Sequence, residues 1–292
     1  MTIPYNRSDQ RNSVDHSSHD QTTKKDFVLR RLKRIGKVFG CAYLVICAVL
    51  WGIQGFIIFH PVTSDYDVRG STTEYEVVVD ESGDLKSRGY IVNQNALGPV
   101  VLFFTGNAGE ALSYTYTLSQ LNVPVVLSNY RGYGKSDGRP SEKRILADAK
   151  ITLEMVRERY PDRPVVLMGF SMGSAVAIRT ADSDIAGVIL ISPFRSTVHV
   201  ANRSLLRIFP VRFLMRHKFD TRASLETLPE PVLVIYSRTD TTISPKETER
   251  VLDKIPDAEV IVDNVHHSAI LSRSQNLRAI RDWLTENFKH DD

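Results

Sequence analysis

The sequence predicts an α/β fold: one mostly parallel, doubly wound sheet of about eight strands, helices on both faces, and an apolar helix ahead of it. Three observations lead there. From about residue 75 onward, short runs of β-branched and aromatic residues alternate with amphipathic stretches. Most of these runs are apolar at every position, as strands covered on both faces must be. The run Val165-Val166-Leu167-Met168 breaks at Gly169-Phe170-Ser171-Met172-Gly173 and passes straight into helix-compatible sequence, a strand–turn–helix junction.

The chain has 292 residues, 42% of them hydrophobic, enough for one large α/β core. Its formal charge of +3 is unevenly placed. Residues 1–59 hold nine Lys and Arg against four acidic residues, which leaves 28 basic and 30 acidic residues, a net of −2, for the remainder. That balance excludes a nucleic-acid footprint on the globular part. The two cysteines, Cys41 and Cys47, both lie in the N-terminal apolar segment. The globular part is therefore expected to hold no disulfide and no thiolate metal site.

Residues 1–23 are polar and aperiodic and read as disordered, with His16 and His19 as solvated side chains rather than a metal pair. A basic cluster follows, Lys24, Lys25, Arg30, Arg31, Lys33, Arg34 and Lys37, so that 1–38 forms a basic tail. Phe39 to Phe59 then runs without a charge and with a single amide, Gln54. Those 21 residues of helix would cover about 32 Å, a bilayer's hydrocarbon core. A cleaved signal peptide would have a shorter apolar core and a small-residue cleavage site, and a buried soluble helix usually carries a polar stripe. The expectation is a single transmembrane helix over 39–59 in contact with the lipid bilayer. The basic cluster would keep the N-terminus cytoplasmic. Residues 60–292 would then face the periplasm, a lumen or the exterior.

Within 60–292, Tyr75–Val79 and Gly89–Val92 read as a hairpin joined by Glu81-Ser82-Gly83-Asp84. Val100–Phe104 is a strand apolar on both faces, ending at Thr105-Gly106-Asn107-Ala108-Gly109, with a helical stretch near Ala111–Leu121 after it. Pro124–Tyr130 is the next strand. Ser141 caps a helix to about Tyr160, with Ile145, Ala149, Leu153 and Val156 on one face. The strands Val165–Phe170, Gly187–Ser192, Pro231–Tyr236 and Glu259–Val262 follow, and a helix near Ser272–Lys289 closes the chain. Between Ser192 and Pro229, residues 194–229 mix Leu205, Leu206, Ile208, Phe209 and Phe213 with Arg203, Arg207, Arg212 and Arg216. This insertion reads equally as a packed helix with a basic face and as a small lid beside a pocket, near anionic headgroups.

In such sheets reactive groups collect at the carboxyl ends of the strands. Ser171 lies after one strand, Asp240 after a later one, and the pair His266 and His267 after the last. A serine hydroxyl needs an imidazole to take its proton, and the imidazole needs a carboxylate to fix its tautomer. Serine, aspartate and histidine stand in that chain order. Asp263, only three residues before His266, suits a turn better than the acid's role.

The motifs Thr105-Gly106-Asn107-Ala108-Gly109, Tyr130-Arg131-Gly132-Tyr133-Gly134-Lys135-Ser136, Gly169–Ser174, Asp240 and Asp263-Asn264-Val265-His266 together resemble those of the α/β-hydrolase superfamily. Within it the chain is similar to the single-span, membrane-anchored α/β-hydrolase-domain serine hydrolases, over about residues 50–290. The chain departs from the family where Thr105 replaces a usual His, Glu110 a usual Asn, and Ser237-Arg238-Thr239 a segment that commonly carries Gly before the acid. The resemblance implies Ser171 as nucleophile and Asp240 as acid. It selects His266 as base, because the family's histidine stands three residues after the turn's Asp. It also implies an oxyanion hole from the backbone N–H groups of Asn107 and Met172. Arg131, Tyr133 and Ser136 are expected to shape the neighbouring loop.

The function expected is hydrolysis of an acyl ester or thioester through an acyl-enzyme, with no metal or organic cofactor. The anchor and the insertion add lipid or lipid-modified substrates to that expectation. A serine peptidase on the same fold, or an idle membrane-tethered binding module, are the competing readings. Dehalogenase chemistry would need Asp at position 171.

Overall fold

The computed structural model describes residues 16–63, 72–203 and 205–288. Two compact units form, Met1–Leu50 and Trp51–Asp292. Helix α1, His16–Ile58, is 43 residues long. Its stretch Phe27–Ile58 is long and apolar enough to cross a membrane, and Phe39, Leu44, Val45 and Val49 expose their side chains. The helix starts far upstream of the expected Phe39. Residues 16–38, expected as disordered tail, are helical, because a helix once nucleated by the apolar run propagates readily through good helix formers such as Lys and Arg. The first 15 residues of that expected tail lie outside the described residues.

The second unit is built on one eight-stranded sheet in the order β1-β2-β4-β3-β5-β6-β7-β8. The strands are β1 Thr73–Val78, β2 Lys86–Val92, β3 Val100–Phe104, β4 Val125–Ser128, β5 Val165–Phe170, β6 Gly187–Ile191, β7 Val232–Ser237 and β8 Glu259–Asp263. β1–β2 and β2–β4 pair antiparallel, and every later pairing is parallel. Between the strands lie α2 Thr115–Ser119, α3 Glu142–Arg159, α4 Met172–Thr180, α5 Thr197–Ala201, α6 Val211–Leu214, α7 Arg222–Leu225, α8 Pro245–Leu252 and α9 Ser274–Asn287.

Side-chain alternation splits the core into two layers. Val100, Leu102 and Phe104 face the layer holding Ile145, Leu153 and Val156 of α3, Val176 and Ile178 of α4, and Val251 of α8. Val101 and Phe103 face the other, with Leu118 of α2 and Leu277, Ile280, Trp283 and Leu284 of α9. Every residue of β3, β5, β6 and β7 is buried, which accounts for the unbroken apolar runs. Ser141 caps α3 by accepting from the Arg144 N–H. The 194–229 insertion folds as short pieces, α5, a 3-10 turn at Leu205–Ile208, α6 and α7. Phe194, Val211, Phe219 and Leu225 are buried, whereas Ile208 and Phe213 are 68% and 85% exposed.

The tightest point is the junction of β5 with α4. A Cβ on Gly169 would overlap the Gly173 carbonyl, and one on Gly173 would overlap the Phe104 carbonyl at the end of β3. Both obstacles are backbone and cannot swing aside. Gly173→Ala should therefore cost about 3 kcal/mol. In thermal unfolding of the full chain in detergent, Tm should fall by about 5–10 °C. An unchanged Tm would mean that α4 can lift off the sheet freely.

Candidate active site

Because β3, β5, β6, β7 and β8 run parallel, the segments that follow them leave one edge of the sheet. Phe104 pairs with Gly169 and Phe170 with Ile191, so the loops after β3, β5 and β6 emerge side by side. Ser171 occupies the turn between β5 and α4 with φ 54° and ψ −117°, a region that costs a non-glycine residue about 1–3 kcal/mol. Its N–H donates to Ile191 O at 2.8 Å, and its carbonyl accepts from Ser174 N at 2.9 Å and Ser174 Oγ at 2.6 Å. These bonds hold the strained turn, and the side chain stays half-exposed at the N-terminus of α4.

Asp240, after β7, is buried, and both of its oxygens are fully engaged. Oδ1 accepts the N–H groups of Thr242 and Ile243, each at 2.8 Å. Oδ2 accepts from Ser192 Oγ at 3.0 Å and from His267 Nδ1 at 2.6 Å. Burial pushes the carboxyl pKa up. The hydrogen bond and charge of His267, with the Ile243 N–H and the Ser192 hydroxyl, outweigh burial and hold it below the usual carboxylate value. The carboxylate selects the tautomer with its proton on Nδ1, which leaves His267 Nε2 as an acceptor. The His267 ring is buried and stacks on Phe170, with centroids 4.9 Å apart and planes at 29°. Phe170 is the residue immediately before Ser171, so the imidazole packs against the turn that carries Ser171.

The histidine expected from the resemblance is not the one at the acid. His266 is exposed, and its Nδ1 lies 3.0 Å from Ser268 Oγ, capping the turn His267–Ala269. The backbone at His266 is extended, with φ −61° and ψ 148°, so neighbouring side chains point to opposite sides. The turn Asp263-Asn264-Val265 has no glycine, and the inward position falls one residue later than expected, at His267. Asp263 is occupied elsewhere: it accepts from Asn264 N at 2.7 Å and from Asn276 Nδ2 at 3.0 Å. Sequence reasoning also missed Ser192 and Phe170, for which only the pairing of β5, β6 and β7 supplies a signal.

Asn107 sits in the loop after β3 and Met172 at the first position of α4. Among the described residues, neither backbone N–H has a hydrogen-bond partner, as expected for Met172 at a helix N-terminus. Thr105, in place of the family's His, is buried and donates through Oγ1 to Gly109 O at 3.0 Å, closing the loop. Arg131 holds Asp148 through Nε and Nη2, at 2.6 and 2.8 Å. Ser136 Oγ accepts from Arg88 N at 2.8 Å. Tyr133 reaches the loop itself: its hydroxyl donates to Asn107 O at 2.7 Å.

Comparison with known proteins shows what the chain is similar to. Residues 99–218 match the family described as serine aminopeptidase, S33. The chain is 30% identical to Rv2307c of Mycobacterium tuberculosis over 251 residues, covering 81% of this chain and 89% of that protein. It is 30% identical to YfhR of Salmonella typhimurium over 206 residues, covering 63% and 69%. Among solved structures it is similar to the Pyrococcus furiosus esterase Pf2001, at TM-score 0.62 and 16% identity, over 79% of this chain and 100% of that one. It is also similar to the thioesterase domain from the curacin biosynthetic pathway, at TM-score 0.53 and 15% identity, over 74% and 99%.

The depressed Asp240 pKa is linked to stability. Ionised Asp240 stabilises the fold fully above the unfolded carboxylate pKa of about 3.9, and that contribution is lost as pH falls through the lower folded value. Asp240→Asn should lower Tm at neutral pH, and the gap to wild type should narrow as pH drops from about 4 toward 2. A gap constant across that window would place the stabilisation elsewhere.

Proposed function

This chain belongs to the α/β-hydrolase superfamily, and on that premise we propose that it is a membrane-anchored serine hydrolase cleaving acyl esters or thioesters. The triad is Ser171, His267 and Asp240. The observation that carries the proposal is the Asp240–His267 contact at 2.6 Å, with that imidazole stacked on the residue before Ser171. Ser171 Oγ attacks the acyl carbon while His267 Nε2 takes its proton. The tetrahedral oxyanion is met by the N–H groups of Asn107 and Met172, with α4 adding the positive end of its dipole. Collapse expels the alcohol or thiol, which His267 protonates. Water, deprotonated by the same nitrogen, then releases the acid and restores Ser171. Asp240 stays ionised throughout and stabilises the transient imidazolium.

Ester and thioester substrates are favoured because the neighbours in structure include esterases and a thioesterase domain. A second reading, cleavage of an amino-terminal peptide bond, has the family description of residues 99–218 in its favour. The apolar helix and the basic residues ahead of it support a single span with the N-terminus in the cytoplasm and the hydrolase unit on the other side. The exposed Ile208 and Phe213, among Arg203, Arg207 and Arg212, support an insertion that meets lipid and a substrate drawn from it.

A fluorophosphonate probe should label the wild type and not Ser171→Ala, and p-nitrophenyl esters should be turned over faster than aminoacyl p-nitroanilides. Equal labelling would remove the mechanism, and the opposite substrate order would favour the peptidase. His267→Ala should lower kcat by at least about 10³-fold, while His266→Ala should stay within about threefold of wild type, a change of under 1 kcal/mol. The reverse pattern would return the base to His266.

A further inference from the structure

A simple tether would leave α1 and meet the hydrolase unit through a slack linker. The chain does something else from Trp51 onward. Gln54, the one amide in the apolar run, is 5% exposed. Its Nε2 donates to Leu214 O at 3.2 Å and to Trp51 O at 2.8 Å, and its Oε1 accepts the Arg216 N–H at 2.6 Å. The Arg216 guanidinium lies over the Trp51 ring, 4.5 Å from its centroid. Phe59 is buried and packs edge-on against His217 and Phe219, at 5.0 and 6.2 Å. The end of α1 is therefore fixed to the 211–219 segment by both polar and aromatic contacts.

That fixed end is bonded to Asn107. Ile58 O, an orphan carbonyl of the last helical turn, accepts from Asn107 Nδ2 at 2.7 Å. Two residues on, the His60 N–H donates to the Tyr133 hydroxyl at 3.1 Å, and that hydroxyl donates to Asn107 O at 2.7 Å. Gly134 N–H closes the arrangement on Val62 O at 2.7 Å. Asn107 is thus held at its side chain by the helix end and at its carbonyl by Tyr133. Both contacts restrain residue 107, and the Gly106 carbonyl, which shares a peptide plane with the Asn107 N–H, accepts from the Gly109 N–H and Thr105 Oγ1, each at 3.2 Å.

We propose that Trp51–Val62 is a working part of the catalytic site, a strap that positions the Asn107 N–H for the oxyanion, with Gln54 and Tyr133 as positioning residues. The inference rests on the reading of Asn107 as an oxyanion donor. It makes turnover depend on how the end of the anchor is seated, and gives the polar Gln54 a reason to stand in an apolar run. An amide there is costly in hydrocarbon and is fully used here by the protein's own backbone.

The test uses the full chain in detergent micelles, with Asn107→Asp, Tyr133→Phe and Gln54→Leu. Asn107→Asp keeps the shape and loses the donor to Ile58 O. Tyr133→Phe loses only the hydroxyl, and Gln54→Leu replaces the amide with an apolar side chain of similar volume. Rates on p-nitrophenyl butyrate are normalised to the Ser171 sites that a fluorophosphonate titrates, so unfolded protein drops out of kcat. Complete loss of an oxyanion donor costs about 10²–10³-fold in kcat. A misaimed donor should therefore give about 10–100-fold for Asn107→Asp and about tenfold for Tyr133→Phe. Gln54→Leu should give a smaller fall in the same direction. KM should stay within about twofold, and the affinity of an alkyl boronic acid, whose Ser171 adduct presents an oxygen to the same hole, should fall in parallel with kcat. Wild-type kcat per titrated site in all three variants would overturn the inference while leaving the serine mechanism standing. So would a loss confined to KM. A wild type that the probe does not label at Ser171 would instead remove the mechanism itself.

Discussion

The close approach of α4 to the ends of β3 and β5 is the constraint on which the rest of the site depends. Gly169 and Gly173 let the helix start against the Phe104 carbonyl, and the chain can turn that sharply only by placing Ser171 at positive φ. The strain is local, and the sheet absorbs it: the Ser171 N–H continues the ladder onto Ile191, and Ser174 satisfies its carbonyl twice. A serine on a flexible loop would need no such support and would have no fixed direction. Here the side chain stands at the strand edge with an open helix N-terminus behind it.

The second polar feature is Asp240, and its energetics explain its position. A carboxylate buried without partners would be costly enough to protonate instead. Four donors surround this one, two backbone N–H groups, the Ser192 hydroxyl and His267 Nδ1. Three strands contribute to that set, since Ser192 follows β6, Asp240 follows β7 and His267 follows β8. Parallel pairing brings them to one edge without any of them being near in sequence. Phe170 then joins this cluster to the turn that carries Ser171 through its stack on His267.

The third feature is the entry of the chain into the hydrolase unit. Trp51, Gln54, Ile58 and Phe59 are held by the 211–219 segment and by the loops that carry Asn107 and Tyr133. An expected boundary at residue 60 divides this arrangement. The apolar run looks uniform in sequence, yet its last two turns are part of the folded unit. On the proposed reading, the same turns connect the anchor to the oxyanion loop.

Much of this was legible in the residues. The β-branched runs, the Ser141 cap and the strand–glycine–serine–glycine–helix junction each depend on local sterics and alternation, which sequence carries directly. So does the α/β-hydrolase sheet, whose buried strands cannot be anything but apolar. The choice between His266 and His267 was not legible, because it turns on which of two neighbours in an extended, glycine-free turn points inward. Ser192 and Phe170 were equally hidden, since nothing but strand pairing brings them to Asp240 and His267. Gln54 looked like an exception in an apolar helix until its partners, some 160 residues away, were in place. By itself the sequence determined the strands, the long α3 and the strand ends at which Ser171, Asp240 and the histidine pair stand. Tertiary structure decided which side chains meet, because side-chain direction and long-range partners are set by packing and not by local propensity.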